Sequence, residues 1–249
     1  MERVNAPLRG FIVGTLVLSW GVGAAYIGCR LAYPALPPLD GHSAIFALTA
    51  CAPSLAAAFV ILRQQGLIGL CELFGRIAKP FQWPWLFVAL AVLPLAACAG
   101  WPLNLATSWQ GVAAVPLLLI NIPAWGEEFG WRGFALPRLL ARGNAFTATL
   151  WLSAIRIVWH LPAFVLGGLM AASMTQFGWW ALSLLGLTCV MTVLYLKTNG
   201  NVLVAGILPH TLLNVLGAIG IWRDTPAQAA TLAMVGAAML AAWGRPRTG

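Results

Sequence analysis

Gly10-Phe-Ile-Val-Gly-Thr-Leu-Val-Leu-Ser-Trp-Gly-Val-Gly-Ala-Ala-Tyr-Ile-Gly-Cys29 is a run of twenty residues without one charged side chain. About 20 such residues, rising 1.5 Å each as a helix, cross the hydrocarbon core of a bilayer. Comparable runs follow at Ser43–Leu62, Pro84–Leu103, Gly111–Arg132, Phe146–Leu166, Trp179–Leu196, Val202–Trp222 and Ala227–Trp243. Chain breakers separate them: Pro34-Ala-Leu-Pro-Pro-Leu-Asp40, Arg63-Gln-Gln-Gly66 and the turn Thr198-Asn-Gly-Asn201. Leu67–Ile77 is short and amphipathic, so it is expected to lie along the membrane interface. The pattern predicts an all-α polytopic membrane protein, a bundle of about eight transmembrane helices forming one integral domain over residues 1–249.

Composition agrees. The chain is 61% hydrophobic and only 8% charged, against about 25% charged in a soluble domain. The net charge of +8 does not point to nucleic acid, because the basic residues are scattered singly at the ends of apolar runs. With the N-terminus in the cytoplasm, ten of the fourteen basic residues fall on cytoplasmic segments. Arg30 and Arg223 fall in outer loops, and Arg132 and Arg156 lie inside spans. That asymmetry predicts both termini cytoplasmic, in a multi-pass protein expected in a bacterial plasma membrane. The first apolar run lacks a small-residue cleavage site and reads as a retained span. The five cysteines are isolated, without CxxC spacing, and are expected to be small buried residues. Tryptophans such as Trp83, Trp85, Trp101, Trp109, Trp179 and Trp180 lie near span ends and read as interface anchors. Pro123 and Pro162 read as helix kinks.

Ionisable residues at membrane depth cost about 2.5–3.5 kcal/mol each on insertion scales, yet three spans carry them. The fourth holds Glu127-Glu128-Phe-Gly-Trp-Arg132, the fifth Arg156-Ile-Val-Trp-His160, and the seventh His210-Thr-Leu-Leu-Asn214. Two of the six acids and two of the three histidines are in this set, with His42 in a loop. Glu128 and Arg132 share a helix face and can pair, as can His210 with Asn214 and Arg156 with His160. Glu127 is turned about 100° from Glu128 and can face another helix. Counting from the expected cytoplasmic ends, Glu127, His160 and His210 lie at similar depth, about 13–21 Å in.

Two histidines and a glutamate can also bind zinc, so a zinc site is an alternative. No HExxH pattern is present, the ligands come from separate helices, and Arg156 opposes a cation, so no cofactor and no metal are expected. Ser153 lacks an acid partner and offers no good nucleophile.

Glu127-Glu128-x-x-x-Arg132-Gly133, an aromatic followed by His160-Leu-Pro, and His210-x-x-x-Asn214 together resemble the CAAX-protease and bacteriocin-processing membrane family, which includes the Rce1-type prenyl-protein endopeptidases. The three motifs span about a third of the chain, and the eight-span architecture is similar to that family's. The resemblance implies a metal-independent glutamic intramembrane endopeptidase with its core within residues 111–222. Glu127 would be the general base, His160 would help hold a water, and His210 and Asn214 would stabilise the oxyanion. Glu128 and Arg132 would form a supporting pair. The implied partners are the bilayer and a membrane-associated peptide or protein substrate, for prenyl-protein processing or bacteriocin maturation. One departure stands out: Arg156 occupies the position where the family usually has Phe. It is either a structural partner of Glu127 or Glu128, or a binder of a substrate carboxylate. Three other readings stay open. They are a bundle whose buried charges only hold helices together, a non-catalytic immunity or regulatory protein with the same fold, and a proton-coupled transporter, for which no inverted repeat is visible.

Overall fold

Backbone amides in hydrocarbon must find partners within their own segment, so a chain this apolar resolves into helices. The computed structural model describes residues 2–36, 44–99, 121–165 and 173–244. Among the described residues eight helical rods follow one another, and there is no strand. They are α1 (Glu2–Ala32), α2 (Ala44–Gly75), α3 (Trp83–Ala97), α4, α5 (Ala145–Val165), α6 (Met174–Lys197), α7 and α8 (Pro226–Trp243). α4 is built of Ile122–Glu128, a π-helical stretch Phe129–Ala135 and Leu136–Leu140. α7 is a π-helical turn Leu203–Ile207 running into Leu208–Ala218. Among the described residues four helices are long and apolar enough to cross a membrane, within α1, α2, α6 and α8, and two more apolar helices are shorter. The expected all-α polytopic membrane protein is what the chain forms.

Local chemistry sets the breaks. Gly66 has φ 65°, a left-handed value that glycine adopts without a Cβ clash, so the segment after it leaves the axis of α2, as the Arg63–Gly66 breaker implied. Asn199 and Gly200, at φ 54° and 75°, make the turn expected at Thr198–Asn201. Side-chain caps start four later helices. Asn144 Oδ1 accepts from the Thr147 amide, Ser173 Oγ from Gln176, Asn201 Oδ1 from Val204 and Thr225 Oγ1 from Gln228.

Several expectations need correction. Within the expected span Gly111–Arg132, Asn121 has ψ 90° and caps a helix that starts at Ile122, with its Oδ1 accepting the Ala124 amide at 3.0 Å. Pro123 therefore opens a helix, where a missing amide costs nothing, and does not kink one. That helix continues past Arg132 to Leu140. α3 stops at Ala97, short of Leu103. Cys29, Cys71 and Cys98 are exposed, because an apolar thiol is as stable against lipid as in the core, and only Cys189 is buried. Pro162 does lie inside α5. His42, Trp101, Trp109, residues 111–120 and the end of the Pro34–Asp40 loop lie outside the described residues.

Glycine permits the closest helix contacts. A Cβ at Gly186 of α6 would meet the Ala233 backbone nitrogen of α8 at 2.6 Å, and Gly236 faces Gly186 in return. Basic residues gather at one end of α6. Arg76 donates to the Tyr195 hydroxyl (3.1 Å) and Lys79 to the Asn199 carbonyl (3.2 Å). Arg138 lies within electrostatic reach of Arg76 and Arg142. Partial burial, with Arg76 nearby, holds the Lys79 ammonium below its ordinary value. At the other end of α6, Gln176 donates to the carbonyl oxygens of Arg223 and Asp224.

Candidate active site

Two glycines set how close the acidic helix comes to its neighbour. Gly126 and Gly130, one turn apart on α4, press against α2. A Cβ at Gly126 would meet Cys51 Sγ at 2.7 Å and Cys51 Cα at 2.9 Å, and one at Gly130 would strike the Pro53 backbone. On another side Gly206, in the π-helical turn of α7, leaves room for Glu128, whose Oε2 would lie 3.0 Å from an added Cβ. Both π-helical stretches flank the acids, and such stretches shift the phase of a helix at functional sites.

Glu128 is fully buried and bound on both oxygens. Arg132 Nη1 donates to Oε2 at 2.7 Å and to Oε1 at 3.0 Å. Oε1 also lies 2.8 Å from His210 Nδ1. The carboxylate of an ion pair only accepts, so Nδ1 is the donor and Nε2 of a neutral ring presents a lone pair. That Nε2 stands 4.0 Å from Glu127 Oε1, a gap that one water can bridge with two hydrogen bonds of about 2.8 Å. The other Glu127 oxygen, Oε2, is held by Trp131 Nε1 (3.3 Å) and by Arg156 Nη2 (3.4 Å).

Arg156 reaches this centre from α5. Only 1% exposed, it lies 3.6 Å from Glu128 Oε1, and its Nη1 donates to Thr188 Oγ1 on α6 at 3.3 Å. Two carboxylates thus face two guanidiniums, and the charges cancel within the buried cluster. Such pairing offsets part of the cost of holding these groups away from water. The Arg156 Nε has no hydrogen-bond partner among the described residues.

His160 stands one turn beyond Arg156 and is not bonded to either carboxylate. Its Nδ1 lies 2.8 Å from the Arg156 carbonyl of its own helix, which makes Nδ1 the donor and leaves the Nε2 lone pair outward. Its ring packs edge-on between Trp159 (4.5 Å) and Trp180 (4.8 Å). Trp180 is therefore part of the aromatic surround of His160, not only a span-end anchor. Asn214 Nδ2 donates to Asn121 Oδ1 at 3.3 Å, tying α7 to the cap of α4. Ser153 is buried, and its hydroxyl has no partner among the described residues.

The fold thus assembles Glu127, Glu128, Arg132, Arg156 and His210 into one cluster, with Asn214 one turn along α7 and His160 one turn along α5. Ligand atoms of Glu127, Glu128 and His210 lie within 4.8 Å of one another, close enough among the described residues to hold a metal ion. The two guanidiniums compete for the same oxygens. Trp131, Asn121 and Thr188 were not singled out from the sequence. Trp131, four residues after Glu127, was visible as a same-face neighbour; Asn121 and Thr188 had no local signal.

A polytopic helical bundle with a buried carboxylate, histidine and arginine centre is thereby defined. Residues 107–216, which carry all three motifs, match the family described as type II CAAX prenyl endopeptidase Rce1-like. That segment is similar to the Rce1-like family, the one to which the motifs pointed. It is 32% identical over 107 residues to CAAX prenyl protease 2 of the archaeon Methanococcus maripaludis, an alignment covering 41% of this chain and 39% of that protein. The chain thus spans about two fifths of the length of the curated relative it matches.

Proposed function

We propose that the chain is an intramembrane endopeptidase of the CAAX-protease type, cleaving a membrane-associated peptide or protein with a water activated at Glu127 and without a metal ion. The observation that carries this reading is the 4.0 Å gap between Glu127 Oε1 and His210 Nε2, with His210 Nδ1 tied to Glu128. Glu127 takes the water proton as the oxygen attacks the scissile carbonyl, and later gives it to the leaving amine. His160 offers Nε2 to hold the water. Asn214 donates from Nδ2 to the oxyanion, while the neutral His210 ring, its Nδ1–H held by Glu128, accepts a hydrogen bond from the water at Nε2. One such donor is worth about 2.7–4 kcal/mol. An apolar cavity of about 470 Å³ beside α4, lined in part by Leu55, Phe74, Trp125 and Phe129, offers space for a hydrocarbon part of the substrate.

Purified protein in detergent is expected to cleave members of a quenched fluorescent peptide library, prenylated and unprenylated, at a rate unchanged by EDTA. Loss of cleavage under EDTA moves the chemistry to a metal on the Glu127, Glu128 and His210 ligands. Absence of cleavage by folded protein points to the non-catalytic reading.

Arg156 is committed to the two carboxylates, which favours the structural-partner reading over substrate-carboxylate binding. Arg156→Phe is expected to slow cleavage by about tenfold or more, because a misplaced base costs on the order of 10²-fold. The ratio of rates on free and C-terminally amidated peptides is expected to stay at the wild-type value. A ratio that shifts toward amidated peptides assigns the guanidinium to the substrate.

A further inference from the structure

We propose that the seam between α1 and the α4–α5 turn is a binding site for one anionic phospholipid of the surrounding bilayer. A cavity of about 520 Å³ opens there, a volume within the range of formed ligand sites. Its two charged groups come from different elements: Arg9 from α1 and Arg142 from the turn that ends α4. Among the described residues no acidic side chain lines it. Asn144 and Thr147 border it where α5 begins, adding the positive end of that helix. The remaining wall is hydrocarbon, chiefly Leu8, Ile12, Leu139 and Ile155, with Trp151 65% exposed at the rim.

Charge at one end and hydrocarbon along the rest match the two halves of a phospholipid. The charged end lies with Arg138, Arg76 and Lys79 at the basic end of the bundle, where headgroups meet a membrane protein. Two guanidiniums select a net negative headgroup, since a choline headgroup brings its own cation. A soluble anion would leave the apolar wall uncovered.

The position also has a consequence for the site. Phe11, on the same stretch of α1, packs on Trp131 (5.4 Å) and Phe134 (5.0 Å) of α4, and Trp131 holds Glu127. Farther along α1, Trp20 donates to the Trp159 carbonyl at 3.0 Å, beside His160. A lipid wedged at Arg9 and Ile12 braces α1 against the helices that carry Glu127 and His160.

The test is native mass spectrometry with thermal unfolding in detergent, on protein given phosphatidylglycerol, phosphatidylcholine or inorganic phosphate. Wild type is expected to retain one phosphatidylglycerol and to unfold at a higher temperature with it, but to gain neither effect from phosphatidylcholine or phosphate. Arg9→Gln with Arg142→Gln is expected to weaken retention by about thirty-fold. Arg63→Gln, which removes an exposed arginine lying over Phe59 on α2, should leave retention intact. Ile12→Trp, filling the apolar end, should displace the lipid with both arginines present, which keeps the test valid if the double variant folds poorly. Unchanged retention in the double variant, equal effects from phosphatidylcholine or phosphate, or an equal loss in Arg63→Gln overturns the proposal.

Discussion

Glu127→Gln is expected to lower peptide hydrolysis by about 10²–10⁴-fold while the bundle stays folded. The amide keeps the size of the side chain and a carbonyl oxygen, so the bonds from Trp131 and Arg156 to that position survive. Arg156 also keeps a counter-charge, because Glu128 lies 3.6 Å away. What disappears is the capacity to accept a proton from water. Initial rates on a cleaved peptide, set beside a thermal unfolding curve, separate the two effects. A rate within about threefold of wild type would mean that a general-base role worth at least a hundredfold is absent. His160, with its Nε2 lone pair outward, would then be the next base to test.

Glu128→Gln is expected to act in the opposite way, on stability first. Arg132 is fully buried and takes two hydrogen bonds' worth of partner from this one carboxylate. Neutralising it leaves a guanidinium uncompensated in an apolar interior, a loss of about 3–5 kcal/mol. The same change frees His210 Nδ1 from its acceptor, so activity falls as well. Replacing both residues by apolar ones of similar size removes the pair together, and the double variant is expected to be more stable than Glu128→Gln alone. Unfolding of Glu128→Gln at the wild-type temperature would show that Glu127 or Met191, whose Sδ lies 2.8 Å from Arg132 Nη2, already satisfies Arg132.

Much of the fold is legible in the order of residues because span formation is local. Mean apolarity over about twenty positions decides whether a helix sits in lipid, and Gly66 or Asn199-Gly200 decides where it turns. The Glu128–Arg132 pair is equally local, since residues four apart on a helix meet whatever surrounds them. The helix start at Asn121 was hidden because Ile122-Pro123-Ala124 is as apolar as the run before it. Hydropathy does not register a side chain that caps its own backbone.

Sequence alone determined that this is a helical membrane protein whose costly charges lie on three helices, because both facts follow from the composition of single segments. Tertiary structure decided what those charges do to one another. Arg156 reaches Glu127 across 29 positions and His210 reaches Glu128 across 82, through the rotation of each helix about its axis and the glycines that set its approach. The same rotation left His160 against Trp159 and Trp180 and without a bond to either acid. Two π-helical stretches, at Phe129–Ala135 and Leu203–Ile207, alter that rotation, and a 3.6-residue periodicity read along the chain does not contain them.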